Sequence, residues 1–331
     1  MIPRLGKVSF ALVVVVLAAP CSGALNYNDN AIKGLFKAYG FILGQEYSLG
    51  RIEATYPDLR MRVKLARYEF ASTFSGIKEK LEAELQTAIG SASFAKLRTQ
   101  MEVGTRDLLE QQPMTPAVAQ QFIVQVRARA KGDEVEGDVL NYLLAVQYAK
   151  RPGAEFGDGF RQRFRTDGTG KSQGVRLNLQ LPRSWVGADG DRPHIVRKWS
   201  SEGGTGLSYV MLQVRDAQGY NPTAREIEEF VRSGEARETF VDLGKVHDIG
   251  LFSVERRPGY WTELSMNQER AGIAIYLRGF MYQFFYRGKG ISVMCMAGAK
   301  VGENQSADAK ALLIKPVCQQ VINSVVLEQA Y

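Results

Sequence analysis

The spacing of apolar residues changes once along this 331-residue chain, and that change constrains the fold more than any other feature. In the first half, apolar residues recur every three or four positions, as on the buried face of a helix. The clearest such run begins at Leu59 and ends at Ile89. From Val175 onward apolar and polar residues alternate, as on a strand with one buried face. The sequence therefore predicts a helical part followed by a strand-rich part.

The helical part is predicted to be an antiparallel bundle of four or five helices joined by short connections. The spacing over residues 59–89 predicts one long helix. Thr115 followed by Pro116 predicts the start of another, because Thr is a favoured N-cap and Pro suits the first helical position. Residues 154–174 are rich in Gly, Asp, Arg and Gln, which is typical of a linker or a long loop. We therefore expect a helical domain over 25–152, a linker over 153–173 and a second domain over 174–331.

The second domain is predicted to be an α+β sandwich, a mostly antiparallel sheet flanked by helices. A helix interrupts the strands after Asn221-Pro222, where Thr223 and Glu226 stand at the spacing of a capping box. A further helical segment restarts at Pro316 near the end of the chain. The strands are expected at residues 175–181, 194–200, 207–214, 248–256, 261–269, 272–286 and 291–297.

The first 24 residues read as a cleavable secretory signal. Arg4 and Lys7 form a basic start, an apolar run of about a dozen residues follows, and Ser22-Gly23-Ala24 places small residues at a signal peptidase site. The apolar run is shorter than the roughly 20 residues that a membrane span needs. We expect cleavage after Ala24, export to the periplasm and a soluble product with no transmembrane segment.

A lipid anchor at Cys21 is the alternative reading of this signal. A lipoprotein would use such a cysteine as the first residue of the mature chain. Pro20, however, stands where the lipoprotein motif has Gly, Ala or Ser, and Ala18 stands where it usually has Leu. The sequence favours simple cleavage.

Charge identifies no partner. The whole chain carries 42 basic and 35 acidic residues, and removal of residues 1–24 takes away only Arg4 and Lys7. Neither half is strongly basic, so nucleic-acid binding is not expected.

The segment that begins at Ala31 and ends at Gly50 is apolar and carries Lys33 and Lys37, so two interpretations are open. It is a core helix whose Gly40 and Gly44 allow a neighbour to approach closely, or a helix that contacts a membrane surface. We favour the core helix.

Two cysteines follow the signal. Alternation places Cys295 on one strand face with Val293, and Cys318 lies four residues from Ile314 on the apolar stripe of a helix. If that helix packs on that strand face, the two cysteines meet. Export permits a disulfide between them, and two buried free thiols are the alternative.

The sequence from Gly174 to Trp185, GVRLNLQLPRSW, resembles the PsbP-like and Mog-like superfamily, to which DcrB-like proteins belong. The opening strand of that family ends in a Leu-Pro-x-x-Trp turn, matched here from Leu181 to Trp185. Residues 192–196, 203–214 and 316–326 follow in the family's order. The resemblance covers about residues 174–328 and implies an antiparallel sheet with helices on both sides. It also implies a mostly non-catalytic interaction module.

No catalytic residue, metal ligand or cofactor site is predicted. The run Gly170-Lys-Ser-Gln-Gly174 matches G-x-S-x-G, and His194 and His247 lie downstream. A nucleophile elbow needs a strand before the serine and a helix after it, whereas Ser172 follows a polar loop and precedes a strand. A serine hydrolase that uses Ser172 is therefore only a third hypothesis.

The leading hypothesis is an exported, non-catalytic protein that binds an unknown protein or a component of the cell envelope. The second is a carrier of an apolar small molecule or lipid, held between sheet and helices or between domains. Candidate recognition residues are Trp185, His194, Trp199 and Trp261, although a tryptophan at a strand end more often packs in the core.

Overall fold

The computed structural model describes residues 25–270 and 272–328. The predicted signal segment, residues 1–24 with Cys21, lies outside the described part.

Helix α1 (Asp29–Thr55) lies at the centre of the helical part and contacts the five helices that follow it. It begins at Asn28, whose side chain accepts a hydrogen bond from Ala31 N at 3.0 Å. Its apolar residues recur at helical spacing and are buried among these neighbours. The other helices of this part are α2 (Arg60–Thr73), α3 (Ile77–Ile89), α4 (Ser91–Glu110), α5 (Pro116–Arg129), α6 (Gly137–Gln147) and α7 (Pro152–Gly157).

The segment from Ala31 to Gly50 lies within α1 and is core, which was the favoured reading. Leu35 and Ile42, two residues that a membrane surface would have to contact, are buried. The glycine that allows close approach differs from those predicted. A Cβ at Gly44 would meet nothing within 4 Å, whereas one at Gly34 would lie 1.9 Å from Tyr142 Cε2.

The single long helix predicted over residues 59–89 is two helices, α2 and α3. Phe74 ends α2, and Gly76 adopts a left-handed conformation with φ 60° before α3 begins. The apolar spacing continues across the break because Phe70, Phe74 and Ile77 are all buried in the same core. Periodicity alone therefore did not reveal the turn.

The predicted linker over residues 153–173 also needs correction, because it carries regular structure. It contains most of α7, strand β1 (Arg161–Arg165) and a short 3-10 turn, Gly170–Ser172. Strand β1 pairs antiparallel with β2 (Leu177–Pro182), and Phe164 packs edge-on against Trp199. Every second residue of β1 is exposed, and four of its five residues are polar. Its composition therefore resembles that of a loop, and the strand was not predicted.

A seven-stranded antiparallel sheet forms the strand-rich part, in the order β3-β4-β5-β9-β8-β7-β6. A smaller sheet has the order β1-β2-β10. The α+β fold class, with an N-terminal helical region and antiparallel sheets, is confirmed. The remaining strands are β3 (Val186–Asp189), β4 (Ile195–Ser200), β5 (Tyr209–Asp216), β6 (Lys245–Val254), β7 (Arg257–Arg270), β8 (Ile273–Tyr286), β9 (Lys289–Lys300) and β10 (Val326–Leu327).

Helices cover both faces of the large sheet. Helix α10 (Asn304–Asn323) packs on β8 and β9 of one face and also contacts β2 and α7. Helix α8 (Ala224–Ser233) packs on β6 and β7 of the other face and is followed by the short α9 (Glu235–Glu238). The predicted capping box is confirmed: Thr223 Oγ1 accepts from Glu226 N, and Glu226 Oε2 accepts from Thr223 N at 2.7 Å. Thr115 likewise caps α5.

Candidate functional site

An open groove lies where the large sheet extends past α10. We call it the aromatic groove. Its volume is about 380 Å³. Its floor is formed by the half-buried side chains of Phe252 of β6 and Trp261 of β7, and the buried rings of Phe280 and Tyr282 of β8 lie beneath. The wall on the helix side consists of Lys315, Gln319, Ile322 and Asn323.

Two glycines shape the floor of the groove. Gly250 is paired with Trp261 across β6 and β7, and Gly259 is paired with Phe252. A Cβ at Gly250 would lie 2.7 Å from Trp261 Nε1, and one at Gly259 would lie 2.7 Å from Phe252 Cε1. Each aromatic ring therefore lies flat over the glycine opposite it. This holds both rings at the sheet edge, half-buried, with one side toward the groove.

Strand β6 is one of the two edges of the large sheet, and β7 is its only strand partner in the described chain. A two-residue turn, Glu255-Arg256, joins the strands, so Val254 and Arg257 form a hydrogen-bonded pair. By alternation along the ladder, the backbone N–H and C=O groups of Ile249, Leu251 and Ser253 point away from β7. The Leu251 side chain is 49% exposed. The Ile249 N–H donates to Asp248 Oδ1 at 2.8 Å. The row of outward backbone groups beside the aromatic groove is therefore formed by Leu251, Ser253 and the Ile249 carbonyl.

One cation lies at the groove. Lys315 Nζ is 5.1 Å from the centroid of the Phe280 ring. Burial raises the pKa of the Tyr282 phenol, which stays neutral at physiological pH. The accessible aromatic surface of the groove is therefore that of Phe252 and Trp261, and Lys315 is the cation at its helix wall.

A second, smaller space lies at the junction between the helical part and the sandwich. We call it the junction cavity. It has a volume of about 60 Å³ and is lined by Leu25 and Tyr148 from the helical part and by Trp185 and Lys310 from the sandwich. This is room for a few waters and too little for a lipid chain.

Glu155 of α7 is the most buried carboxyl group at this cavity, at 1% exposure. Its two oxygens accept hydrogen bonds from Ser184 N at 2.7 Å and Ser184 Oγ at 2.6 Å. Burial raises the pKa of Glu155 to about 7, while these bonds and Arg183 act in the opposite direction. The hydroxyl of Ser201 lies in the same lining, buried and without a hydrogen-bond partner.

The four candidate recognition residues do not share one surface. Trp185 and Trp199 are 2% and 1% exposed, so neither presents a surface to a partner. His194 contacts Arg215 Nη2 at 3.1 Å, and burial and that guanidinium lower the pKa of His194. Trp261 alone of the four lines the aromatic groove. Sequence reasoning missed its neighbours Phe252, Phe280 and Tyr282, although aromatic residues alternate along GFMYQFFY, residues 279–286.

The hydrolase pattern does not assemble. Ser172 is buried, and its hydroxyl donates to the backbone oxygen of Thr169 at 2.7 Å. Nε2 of His247 lies 2.9 Å from Ser265 Oγ, and His194 faces Arg215. Among the described residues, no hydrogen bond joins Ser172 to either histidine.

The two cysteines meet, because α10 packs on the strand face that carries Cys295. Cys295 of β9 and Cys318 of α10 are both free and fully buried. Burial raises the pKa of the Cys318 thiol well above its ordinary value, and a hydrogen bond with Cys295 raises it further. The structure thus brings the two sulfurs side by side, and the disulfide stays a prediction.

Over 25–270 and 272–328, no helix is both long and apolar enough to cross a membrane. Within the same limits, no group of three or more His, Cys, Asp or Glu side chains is placed to hold a metal ion.

Comparison with solved structures finds likenesses of fold. The solution structure of cyanobacterial PsbP (CyanoP) from Synechocystis sp. PCC 6803 matches 50% of this chain and 92% of its own length. The identity is 12% and the TM-score is 0.32, so the likeness concerns fold alone. No protein-family model matches the chain, and no curated protein matches it.

Proposed function

We propose that this is an exported, non-catalytic binding protein that takes an extended segment of a partner protein onto the edge strand β6. The observation that carries the proposal is the unpaired side of β6 next to the aromatic groove. A strand added to β6 would pair with the outward groups of Leu251 and Ser253, whereas the Ile249 N–H is already bonded to Asp248 Oδ1. Its side chains on the α10 face would then lie over Trp261 and Phe252.

The two parts of this surface have different roles. Each backbone hydrogen bond contributes only about 0.5–1.5 kcal/mol, because the same groups bind water when the edge is free. Burial of one large apolar side chain contributes about 1.5–3 kcal/mol. The edge therefore sets the direction and register of the segment, and the groove selects an aromatic or aliphatic side chain. Lys315 at the wall favours an acidic residue beside that side chain.

A carrier of an apolar small molecule is the second candidate function. The aromatic groove favours it, because about 380 Å³ falls within the roughly 300–1,000 Å³ of typical ligand sites. The groove is open along the sheet edge, however. A partner strand can form hydrogen bonds with the backbone groups of that edge, whereas a small apolar molecule cannot. We therefore place peptide binding first.

Selection from random peptides displayed on phage tests the first candidate. We expect enriched peptides to alternate polar and apolar residues and to include an aromatic or a large aliphatic residue. Trp261→Ala should weaken binding at least about tenfold, because it removes a large part of the groove floor. Leu251→Pro should weaken it as well, because proline removes a donor that points away from β7.

Matched variants make this test specific. Leu251→Ala keeps the backbone donor and should bind peptides nearly as well as the unaltered chain. Tyr220→Ala removes an exposed aromatic residue outside the groove and should have no effect. Peptides that bind equally to Trp261→Ala and Leu251→Pro would show that the edge is not the binding surface. If an apolar fluorescent dye binds, no peptide displaces it and Trp261→Ala abolishes its binding, the result would favour the carrier function.

Export is part of the proposal and has its own measurement. The intact mass of the protein recovered from the periplasm should correspond to a chain that begins at Leu25. A mass that includes residues 1–24 would contradict cleavage, and a mass increased by lipid on Cys21 would show the lipoprotein route instead.

A further inference from the structure

The four residues that follow the predicted cleavage bond are each held by specific contacts. Leu25 is 6% exposed and lines the junction cavity. Asn26 N donates to Glu202 Oε2 at 2.7 Å, and Asn26 Nδ2 donates to Thr205 O at 2.8 Å. The Tyr27 hydroxyl donates to Glu84 Oε2 at 2.6 Å, and Asn28 caps α1.

Glu202 is held in place at a conformational cost. It lies in the loop after β4 with φ 57°, in the left-handed region that a residue with a Cβ seldom occupies. Strained backbone of this kind persists where the surroundings over-determine it. Its carboxylate points to the N-terminal segment and accepts a hydrogen bond from the Asn26 N–H. The strained backbone conformation of Glu202 therefore directs its carboxylate toward the first residues of the helical part.

Charged groups of both signs act on the buried carboxyl group of Glu202. Burial raises the pKa of Glu202. Lys310 of α10 lowers that pKa, whereas Glu84 of α3 raises it, and the phenols of Tyr27 and Tyr142 face the same carboxylate. Lys150 lowers the pKa of Glu84, so each of these two acids has one lysine acting on it. An additional cation beside Glu202 would stabilise its charged form.

We propose that hydrolysis of the Ala24-Leu25 peptide bond creates that cation, an α-ammonium on Leu25 that pairs with Glu202. A signal peptidase adds water across the amide. The C–N bond breaks, the hydroxyl goes to the carbonyl carbon of Ala24, and the Leu25 nitrogen gains a proton. That nitrogen takes a further proton from solvent at neutral pH and becomes an ammonium.

The distance allows the pair. Three covalent bonds separate the Leu25 nitrogen from Asn26 N, which already binds Glu202 at 2.7 Å. The Leu25 nitrogen therefore lies within about 7 Å of the carboxylate before any adjustment. A charge pair at about 4–6 Å shifts the pKa of both groups toward their charged forms. In the precursor the same nitrogen is an uncharged amide, so only the processed chain gains the pair.

Titration of the Leu25 amine tests the pair directly. The inference rests on the proposed cleavage site, but a chain released at Leu25 from an N-terminal fusion tests the pair without export. Reductive methylation with isotope-labelled formaldehyde keeps the charge and makes the amine visible by NMR. We expect its pKa above the usual range of about 7.7–8.0, and a return to that range in Glu202→Gln. Glu303→Gln, at an exposed acid, should change nothing.

Thermal unfolding tests whether the pair stabilises the folded chain. The comparison needs no side-chain substitution, so it does not depend on whether a variant folds. At pH 7, the chain that begins at Leu25 should melt at least about 2 °C above a chain extended by Gly23-Ala24. Acetylation of the Leu25 amine should remove the difference, since it removes only the charge. Equal melting temperatures, or an amine pKa in the usual range, would overturn the pair. Mature protein that begins at another residue would overturn it for the natural chain.

Discussion

At the scale of single residues, Glu155 combines near-complete burial with a carboxyl group whose charge depends on pH near neutrality. Its pKa of about 7 in the folded chain lies above the 4.5 of an exposed glutamate. The folded state therefore binds the proton more tightly than the unfolded state. The resulting stabilisation is complete below about pH 4.5 and is lost as the pH rises through 7.

Glu155→Gln should remove this pH dependence. The amide can accept from Ser184 N and donate to Ser184 Oγ, so both partners stay bonded. We expect the free energy of unfolding of the variant, relative to the unaltered chain, to rise by about 3 kcal/mol between pH 4.5 and pH 8. Urea unfolding at several pH values measures it. A constant difference across this range would contradict the raised pKa.

The proposed export should allow Cys295 and Cys318 to form a disulfide. Their thiols are adjacent, and the bond would close a loop of roughly 20 residues, worth about 3 kcal/mol in a chain-entropy model. Because a raised pKa suppresses the reactive thiolate, oxidation should occur before the core closes. Peptide mapping without reductant should find the linked pair in periplasmic protein. Alkylation of both thiols after unfolding without reductant would disprove it.

At the scale of elements, the turn between β6 and β7 is strained. Glu255 and Arg256 have φ 49° and 64°, the left-handed conformation of a type I′ turn, which favours Asn-Gly. Glu255 Oε2 is also buried without a hydrogen-bond partner. Replacing the pair by Asn-Gly should raise the free energy of unfolding by about 1 kcal/mol. Arg287→Asn in the β8–β9 turn, which already has Gly288, should change it less. Loss of stability in the first variant would contradict the strain.

At the scale of the whole molecule, Tyr142 of α6 joins the two parts. Its ring lies against Gly34 of α1 and Gly203 of the loop after β4, where added Cβ atoms would lie 1.9 and 2.9 Å from ring carbons. Its hydroxyl donates to Asn30 O at 3.3 Å. Gly34 therefore allows α1 to approach the Tyr142 ring within the helical part, and Gly203 allows the sandwich to approach the same ring.

Two glycine-to-alanine changes in α1 should have opposite effects. Gly34→Ala forces the Tyr142 ring to move and should cost about 1–3 kcal/mol of the free energy of unfolding. Gly44→Ala meets nothing within 4 Å and should add about 0.5–1 kcal/mol, because alanine favours the helix. Urea unfolding of both variants measures this. Destabilisation by Gly44→Ala, or none by Gly34→Ala, would contradict the packing.

Much of the fold was predictable because its causes are local. Periodicity located the seven longer strands to within a few residues, and the capping residues Thr115 and Thr223 located two helix starts. Strands β1, β3 and β10 were missed, because they are short or polar and depend on pairing with distant residues. The candidate site was predictable only at Trp261. The groove exists because α10 does not extend over the β6 side of the sheet. No local sequence pattern indicates how far a helix extends over a sheet.

The sequence by itself determined the order of helical and strand-rich parts, the faces that are buried and the helix starts, since all follow from the spacing of neighbouring residues. Only the tertiary structure decided that Glu155 is buried against Ser184, that Glu202 faces Asn26 and that β6 is left as an edge. These contacts join residues far apart in the chain. Burial, charge and unpaired backbone are properties of that three-dimensional arrangement, so they arise only when the parts have packed together.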